Sequence, residues 1–199
     1  MSSSIPRVEG LANDSTVRHK TLVSPATLEA IFSTGKVEAI FLSAGAAPEA
    51  DKAAMAAPAF FNMEYGAPAE SGFAAELIDS PPPPGLSKAA VFPLGLREKG
   101  KEAFVGMAHL LLGYPTETNV FVGLLVLADS FQKKGFGRDF IQGLYDWARP
   151  QGISFIRVRV HPQNTAAKAF LDKMGFVDMP NKLSTGHEVW ERKLPAVED

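Results

Sequence analysis

Apolar and polar positions change their spacing along this chain, and each change predicts a different kind of element. Pro25 to Phe32 reads as a short helix, with Ser24 as N-cap, proline at its first position and Gly35 closing it. Val37 to Ser43 then reads as a short strand. A helix is expected from about Ala53 to Phe61, and Glu70 to Ile78 is amphipathic, with Phe73, Leu77 and Ile78 on one side. The run Pro81 to Pro84 has no N–H to donate and fixed φ angles, so it predicts an extended connector.

Beyond the connector the pattern turns to strands. Ala89 to Leu96 and Ala103 to Leu112 flank the turn Arg97 to Lys101, which predicts an antiparallel hairpin. A third strand, Val120 to Ala128, follows the polar turn Tyr114 to Asn119. These runs are apolar on both faces, as expected of a sheet covered by helices on both sides. Gly137 to Arg149 is the clearest helix, with Phe136, Phe140, Ile141, Leu144 and Trp147 recurring at helical spacing and Pro150 ending it. Ile153 to Val160 alternates as a strand, with Ile156, Val158 and Val160 on one side and Phe155, Arg157 and Arg159 on the other. Asn164 caps a helix Thr165 to Met174, Gly175 takes the left-handed position after it, and Phe176 is the apolar residue beyond. Glu188 to Leu194 is the last strand. The pattern is that of an α/β (α+β) fold with a mixed, mostly antiparallel central sheet.

The 199 residues suit one domain, and 46% hydrophobic with 21% charged residues is a globular composition. The chain is expected to form one domain over 1–199, with 1–87 a helical N-terminal part and 88–194 the core. A net charge of −2 argues against a partner held mainly by nucleic-acid phosphates. No apolar run suggests a signal peptide or a membrane span, so no membrane partner and a cytoplasmic location are expected. The sequence leaves monomer and homodimer open. The absence of cysteine removes disulfides, thiolate metal sites and cysteine nucleophiles together. No His/Asp/Glu cluster suggests a metal.

The informative stretch is Leu125-Val126-Leu127, followed by Asp129, Gln132, Lys133, Lys134, Gly135, Phe136, Gly137 and Arg138. A strand that passes through a glycine-punctuated loop straight into a helix aims unpaired N–H groups and the helix dipole at one point. Such a turn suits phosphate or pyrophosphate; a plain strand-to-helix turn is the other reading. The loop lacks the spacing of a P-loop and of a dinucleotide-binding turn. Between Asp129 and Lys173, eight Lys and Arg outnumber four Asp, a local excess that would attract an anion.

Gln132-x-x-Gly135-x-Gly137 after an apolar strand resembles the acetyl-CoA pyrophosphate loop of the GCN5-related N-acetyltransferases (GNAT). Asn164-x-x-Ala167 with Gly175-Phe176 resembles that family's second cofactor-contacting segment, and the two motifs occur in the family's order. Pro58 to Gly85 and Gly113-Tyr114-Pro115 are similar to a little-characterised bacterial branch. The resemblance implies an acyltransferase with a sheet splayed at the cofactor strand and acetyl-CoA as acyl donor. It implies that the backbone of Leu125 to Leu127 pairs with the pantetheine arm and that Gln132 to Gly137 hold the pyrophosphate. A splay at Leu127 would then aim an N–H at the thioester carbonyl. Lys133, Lys134 and Arg138 would supply charge. Asn164 would hydrogen-bond the pantetheine, cap its helix, or both; Phe170 would line the groove or pack in the core. Many members carry a tyrosine seven residues after the asparagine, to protonate the departing sulfur; Leu171 stands there and cannot.

For a base, the sequence offers His109, Asp129 and Glu64, with His109 foremost because an ordinary histidine titrates near neutrality. A hydrogen-bonded core histidine and a loop-capping aspartate are the plain alternatives. Phe61, Tyr65 and Tyr114 are candidates for the acceptor pocket. The expected reaction is N-acetylation of a small-molecule primary amine in a ternary complex, since no cysteine can carry the acetyl group. A non-catalytic CoA-binding regulator, favoured by Leu171, and an unrelated phosphate-binding module are the alternatives.

Overall fold

Two runs without a polar face dictate the centre of the molecule. The computed structural model describes residues 30–195. In chain order its strands and helices are β1 (Ala30–Ser33), β2 (Val37–Phe41), α1 (Ala47–Met55), α2 (Pro58–Tyr65), α3 (Phe73–Asp79), β3 (Val91–Glu98), β4 (Phe104–Leu112) and β5 (Asn119–Leu127). There follow α4 (Phe136–Ala148), β6 (Phe155–Val160), α5 (Thr165–Lys173), β7 (Val177–Asp178) and β8 (Glu188–Lys193). β4 is buried at all nine positions and β3 at its first six. Strands this apolar must have helices on both faces.

The eight strands form one sheet in the order β1-β2-β3-β4-β5-β6-β8-β7. Only β5 and β6 pair in parallel, as a crossover through α4 requires. One face packs against Phe136, Phe140, Ile141 and Leu144 of α4 and Leu171 of α5. The other packs against α1, α2 and α3 through Ala50, Ala54, Phe61, Phe73 and Leu77. The described residues therefore form a single α/β domain with an open mixed sheet between helical layers.

The hairpin, the third strand, α4, β6, α5 and the last strand stand where the periodicity predicts them. The first half differs. Residues 24–29, the expected start of the first helix with its Ser24 cap, lie outside the described residues, but Ala30 to Phe32, expected to end that helix, belong to the edge strand Ala30–Ser33. Phe32 there packs on Phe140 with ring centres 5.6 Å apart, and this long-range contact overrides local propensity. The single helix expected over Ala53 to Phe61 is two. Pro58 cannot donate an N–H and pushes Ala57 out of the helical region, to φ −126° and ψ 51°. α3 begins at Phe73 because the buried Asp51 carboxylate of α1 accepts the N–H groups of Gly72 and Ala74, both at 2.7 Å. Among the described residues no helix is long and apolar enough to cross a membrane.

β4 and β5 leave no room for a side chain at Gly106, where an added Cβ would overlap the Val126 carbonyl oxygen. Gly106→Ala is expected to destabilise the protein by about 1–3 kcal/mol, read as a lower urea midpoint at unchanged slope.

Candidate active site

Backbone pairing locates the site. β5 pairs with β6 only from Asn119 to Val122, whose partner is Val158, and the two strands then part. β4 continues along β5 as far as Leu127, with a register shift between His109 and Leu110 that bulges β5 at Gly123. The Ala128 N–H bonds the Val105 carbonyl at 2.9 Å. Because strand backbones alternate, Leu125 and Leu127 turn their N–H and C=O groups away from β4, into the opening. The sheet thus opens after Val122, five residues before the expected point at Leu127. The Val126 side chain is core, while Leu125 and Leu127 are half-buried.

The opening leads into the loop. Ala128 to Phe131 make a tight turn in which the Asp129 N–H bonds the Ala56 carbonyl at 2.8 Å. Gln132 Nε2 donates to the Leu127 carbonyl and to Asp129 Oδ1, each at 3.0 Å, so one side chain ties the strand's end to the turn. Asp129 therefore holds the loop instead of standing free as a base. Lys133 at φ 58° and Gly135 at φ 88° put two left-handed residues before α4. Among the described residues, no acceptor reaches the N–H groups of Lys133 to Arg138. Phe136 turns its ring inward against Phe131, at 5.3 Å, and contributes only backbone. Lys36, which the sequence reading passed over, donates from Nζ to the Lys134 carbonyl at 2.8 Å. Asp139 in the first turn of α4 accepts the Thr34 hydroxyl and the N–H groups of Lys36 and Val37, which fixes the β1–β2 turn beside the loop.

Asn164 caps α5, its side-chain oxygen accepting the Ala167 N–H at 3.0 Å. Phe170 is half-buried and lies beside Gly137 at the start of α4, 3.5 Å from where a Cβ there would stand. Leu171 packs into the core with 3% exposure. The local excess of positive charge is smaller than the residue count implies. Arg157 pairs with Glu191 at 2.5 Å, Lys168 with Glu188 at 2.9 Å, and Arg159 with Glu64. Lys133, Lys134 and Arg138 remain at the loop.

On the α2 side of the opening stands a buried polar cluster. Glu64 of α2 accepts hydrogen bonds from Arg159 and, at 2.9 Å, pairs with His187 Nε2. Their side chains are 3%, 6% and 9% exposed, so these charges are almost out of water. Burial acts to raise the Glu64 pKa, but the His187 hydrogen bond and the charges of Arg159, His187 and His161 outweigh it and hold the carboxylate below its ordinary range. Tyr65 stands beside Arg159, and burial pushes its phenol upward.

His109 of β4 sits opposite Leu124, with Nδ1 3.5 Å from where a Cβ on Gly123 would stand. Its Nε2 is buried and has no partner. Burial, with the charges of Lys88 and Arg159, pushes its pKa down to about 4. His109 is thus neutral near neutral pH, without the titration near neutrality that made it the foremost base. Phe61 and Tyr114 are core residues, not pocket walls. Phe61 is 1% exposed and meets Phe73 at 4.9 Å, while Tyr114 is 2% exposed and meets Phe121 at 5.8 Å. The sequence held one signal for the cluster: Arg157 and Arg159 project from a face that helices must cover, and such arginines demand carboxylate partners.

The family model described as Acetyltransferase (GNAT) family matches residues 58–176. The GNAT domain of the Streptomyces lividans PAT has the same fold, with TM-score 0.63 and 16% identity over 86% of this chain and all of its own, 100%. An acetyltransferase from Thermus thermophilus gives 0.62 and 19%, over 79% of this chain and 97% of its own. A PaiA N-acetyltransferase from Thermoplasma acidophilum in complex with coenzyme A gives 0.57 and 16%, over 79% and 98%. The ribosomal-protein-S18-alanine N-acetyltransferase of Escherichia coli gives 0.56 and 16%, over 82% and 97%. No curated protein sequence matches the chain.

His109 makes stability depend on pH. An unfolded chain takes up its proton near pH 6.5, whereas the folded protein refuses it down to about 4. Stability is therefore expected to fall by up to about 3 kcal/mol as pH drops through that window, and to level off below it. In His109→Leu this part of the acid dependence should vanish, as urea unfolding on either side of the window would show.

Proposed function

Because the chain belongs to the GNAT acetyltransferase family, we propose that it transfers the acetyl group of acetyl-CoA to a primary amine of a small molecule, by direct attack with both substrates bound. The observation that carries this reading is the outward strand edge at Leu125 and Leu127, followed after one tight turn by the uncommitted N–H groups of Lys133 to Arg138. Such a strip fits a ligand that is an extended amide chain at one end and a diphosphate at the other. When bound, acetyl-CoA supplies the activated acyl group as a thioester.

The chain's own residues then divide the work. Leu125 and Leu127 offer backbone groups to the pantetheine amides as a neighbouring strand would. The loop and the α4 dipole take the pyrophosphate, and Lys133, Lys134 and Arg138 add charge where it is not already neutralised. Asn164 spends its oxygen on the Ala167 N–H, which leaves its amide N–H group for the pantetheine. The opened strand edge, with Glu64, Arg159 and His187 paired and buried on its α2 side, supports a small amine as acceptor. Leu171 offers no proton, but a thiol is acidic enough to leave as thiolate and be protonated by water.

Calorimetry should show CoA binding where ATP binds more weakly, and free thiol should appear when acetyl-CoA meets a panel of small primary amines. Thiol release with peptide N-termini alone would overturn the small-molecule assignment. Asn164→Asp separates two roles. It keeps the oxygen that caps α5 but loses the amide donor, so CoA affinity should fall while the urea midpoint holds. Asn164→Ala should lose affinity and also about 1 kcal/mol of stability.

A further inference from the structure

The loop before α4 is braced from outside its own segment. Lys36, in the turn between β1 and β2, donates from Nζ to the Lys134 carbonyl at 2.8 Å, and its ammonium lies 5.8 Å from the centre of the Phe136 ring. The backbone of Lys36 is anchored on both sides. Its N–H donates to the Asp139 carboxylate of α4 at 2.8 Å, and its carbonyl accepts the Lys99 N–H at 2.7 Å. The next loop carbonyl, that of Gly135, accepts the Asp139 N–H at 3.0 Å. Turn, loop and helix thus close a ring of bonds around one peptide unit, Lys134–Gly135.

The orientation of that unit decides what the loop presents. In a planar trans peptide the C=O and N–H groups point in opposite directions. With the Lys134 carbonyl held by Lys36, the Gly135 N–H faces away from Lys36, and no acceptor among the described residues reaches it. The local sequence leaves the orientation open. Gly135 stands at φ 88° and ψ −1°, values of the second central residue of a type II turn. A glycine takes the negative φ of a type I turn about as readily, and passing from one turn to the other rotates the peptide between by about half a turn. The rotated unit would offer a carbonyl oxygen where an N–H had been, and that oxygen repels an anion.

We propose that Lys36 is a positioning residue for the cofactor, locking the Lys134–Gly135 peptide with its N–H toward the diphosphate of CoA. This rests on the acetyl-CoA reading above. Lys133, Lys134 and Arg138 supply charge to the phosphates, whereas Lys36 sets the direction of a backbone donor.

The test uses the full chain. Lys36→Met keeps the stem beside Phe136 and loses the donor. In calorimetry it is expected to raise the Kd for CoA about 10-fold, and that for dephospho-CoA, which keeps the diphosphate, by the same factor. S-acetylpantetheine, which lacks the diphosphate, should be used with small primary amines at an unchanged KM. Lys36→Arg keeps a donor to the carbonyl and should bind CoA as the unaltered protein does. Nuclear magnetic resonance of the CoA-free protein reads the lock itself. In Lys36→Met the Lys134 carbonyl carbon should shift and the Gly135 amide signal should broaden or double, while the urea midpoint holds. Either an unchanged CoA affinity or unmoved signals would overturn the lock. So would a loss seen with CoA and absent with dephospho-CoA, which marks a charge acting on the 3′-phosphate, or an equal loss with S-acetylpantetheine, which marks damage to the fold. If the unaltered protein bound no CoA, the cofactor reading itself would fall, and the part of Lys36 in binding with it.

Discussion

The parting of β5 from β6 after Val122 is the constraint on which the rest of the molecule depends. A strand in the middle of a sheet normally spends all its backbone groups on its neighbours, and leaving them unpaired away from water is costly. Here the cost falls on a few residues and is partly offset within the chain. Gln132 takes the Leu127 carbonyl, and the bulge at Gly123 turns the strand before it opens. What remains unpaired is a short edge of fixed direction. The α4 N-terminus, the α5 cap and the α2 polar cluster are arranged around it.

Charge around the opening is sorted by burial. On the loop side Lys133 and Lys134 are exposed and can release their hydration to a diphosphate. On the α2 side the charges are nearly dry and already satisfied by one another. A buried carboxylate with a guanidinium and an imidazole on one oxygen is a costly arrangement, and apolar residues of equal volume would often serve stability better. Glu64, Arg159 and His187 come from α2, β6 and the segment before β8, so the cluster also fixes the height of α2 above the sheet.

Much of this was legible in the sequence, for identifiable reasons. α4 and β6 announce themselves because their burial is one-sided and their periods are unambiguous. The Gln132 to Gly137 loop is legible because left-handed backbone and close approach demand glycine at fixed places. The edge strand at Ala30–Ser33 is not, since its conformation comes from pairing with β2 and from Phe32 packing on α4, over a hundred residues away. The start of α3 depends on Asp51, twenty-one residues before Gly72. The pairing of His187 is invisible for the same reason: its partner Glu64 is 123 positions earlier, and no spacing rule spans that distance. His109 misleads in another way. Its residue type promises titration near neutrality, and burial removes it.

The bond from Lys36 Nζ to the Lys134 carbonyl joins positions 98 apart. Local contacts form early in folding, and such distant closures come late. The loop's two left-handed residues therefore have their outside support only when the β1–β2 hairpin has docked, although β5, the loop and α4 are contiguous. The turn before α4 is in this sense a product of the finished fold. Transplanted with only its flanking strand and helix, it would keep its glycines and lose the brace that holds them open.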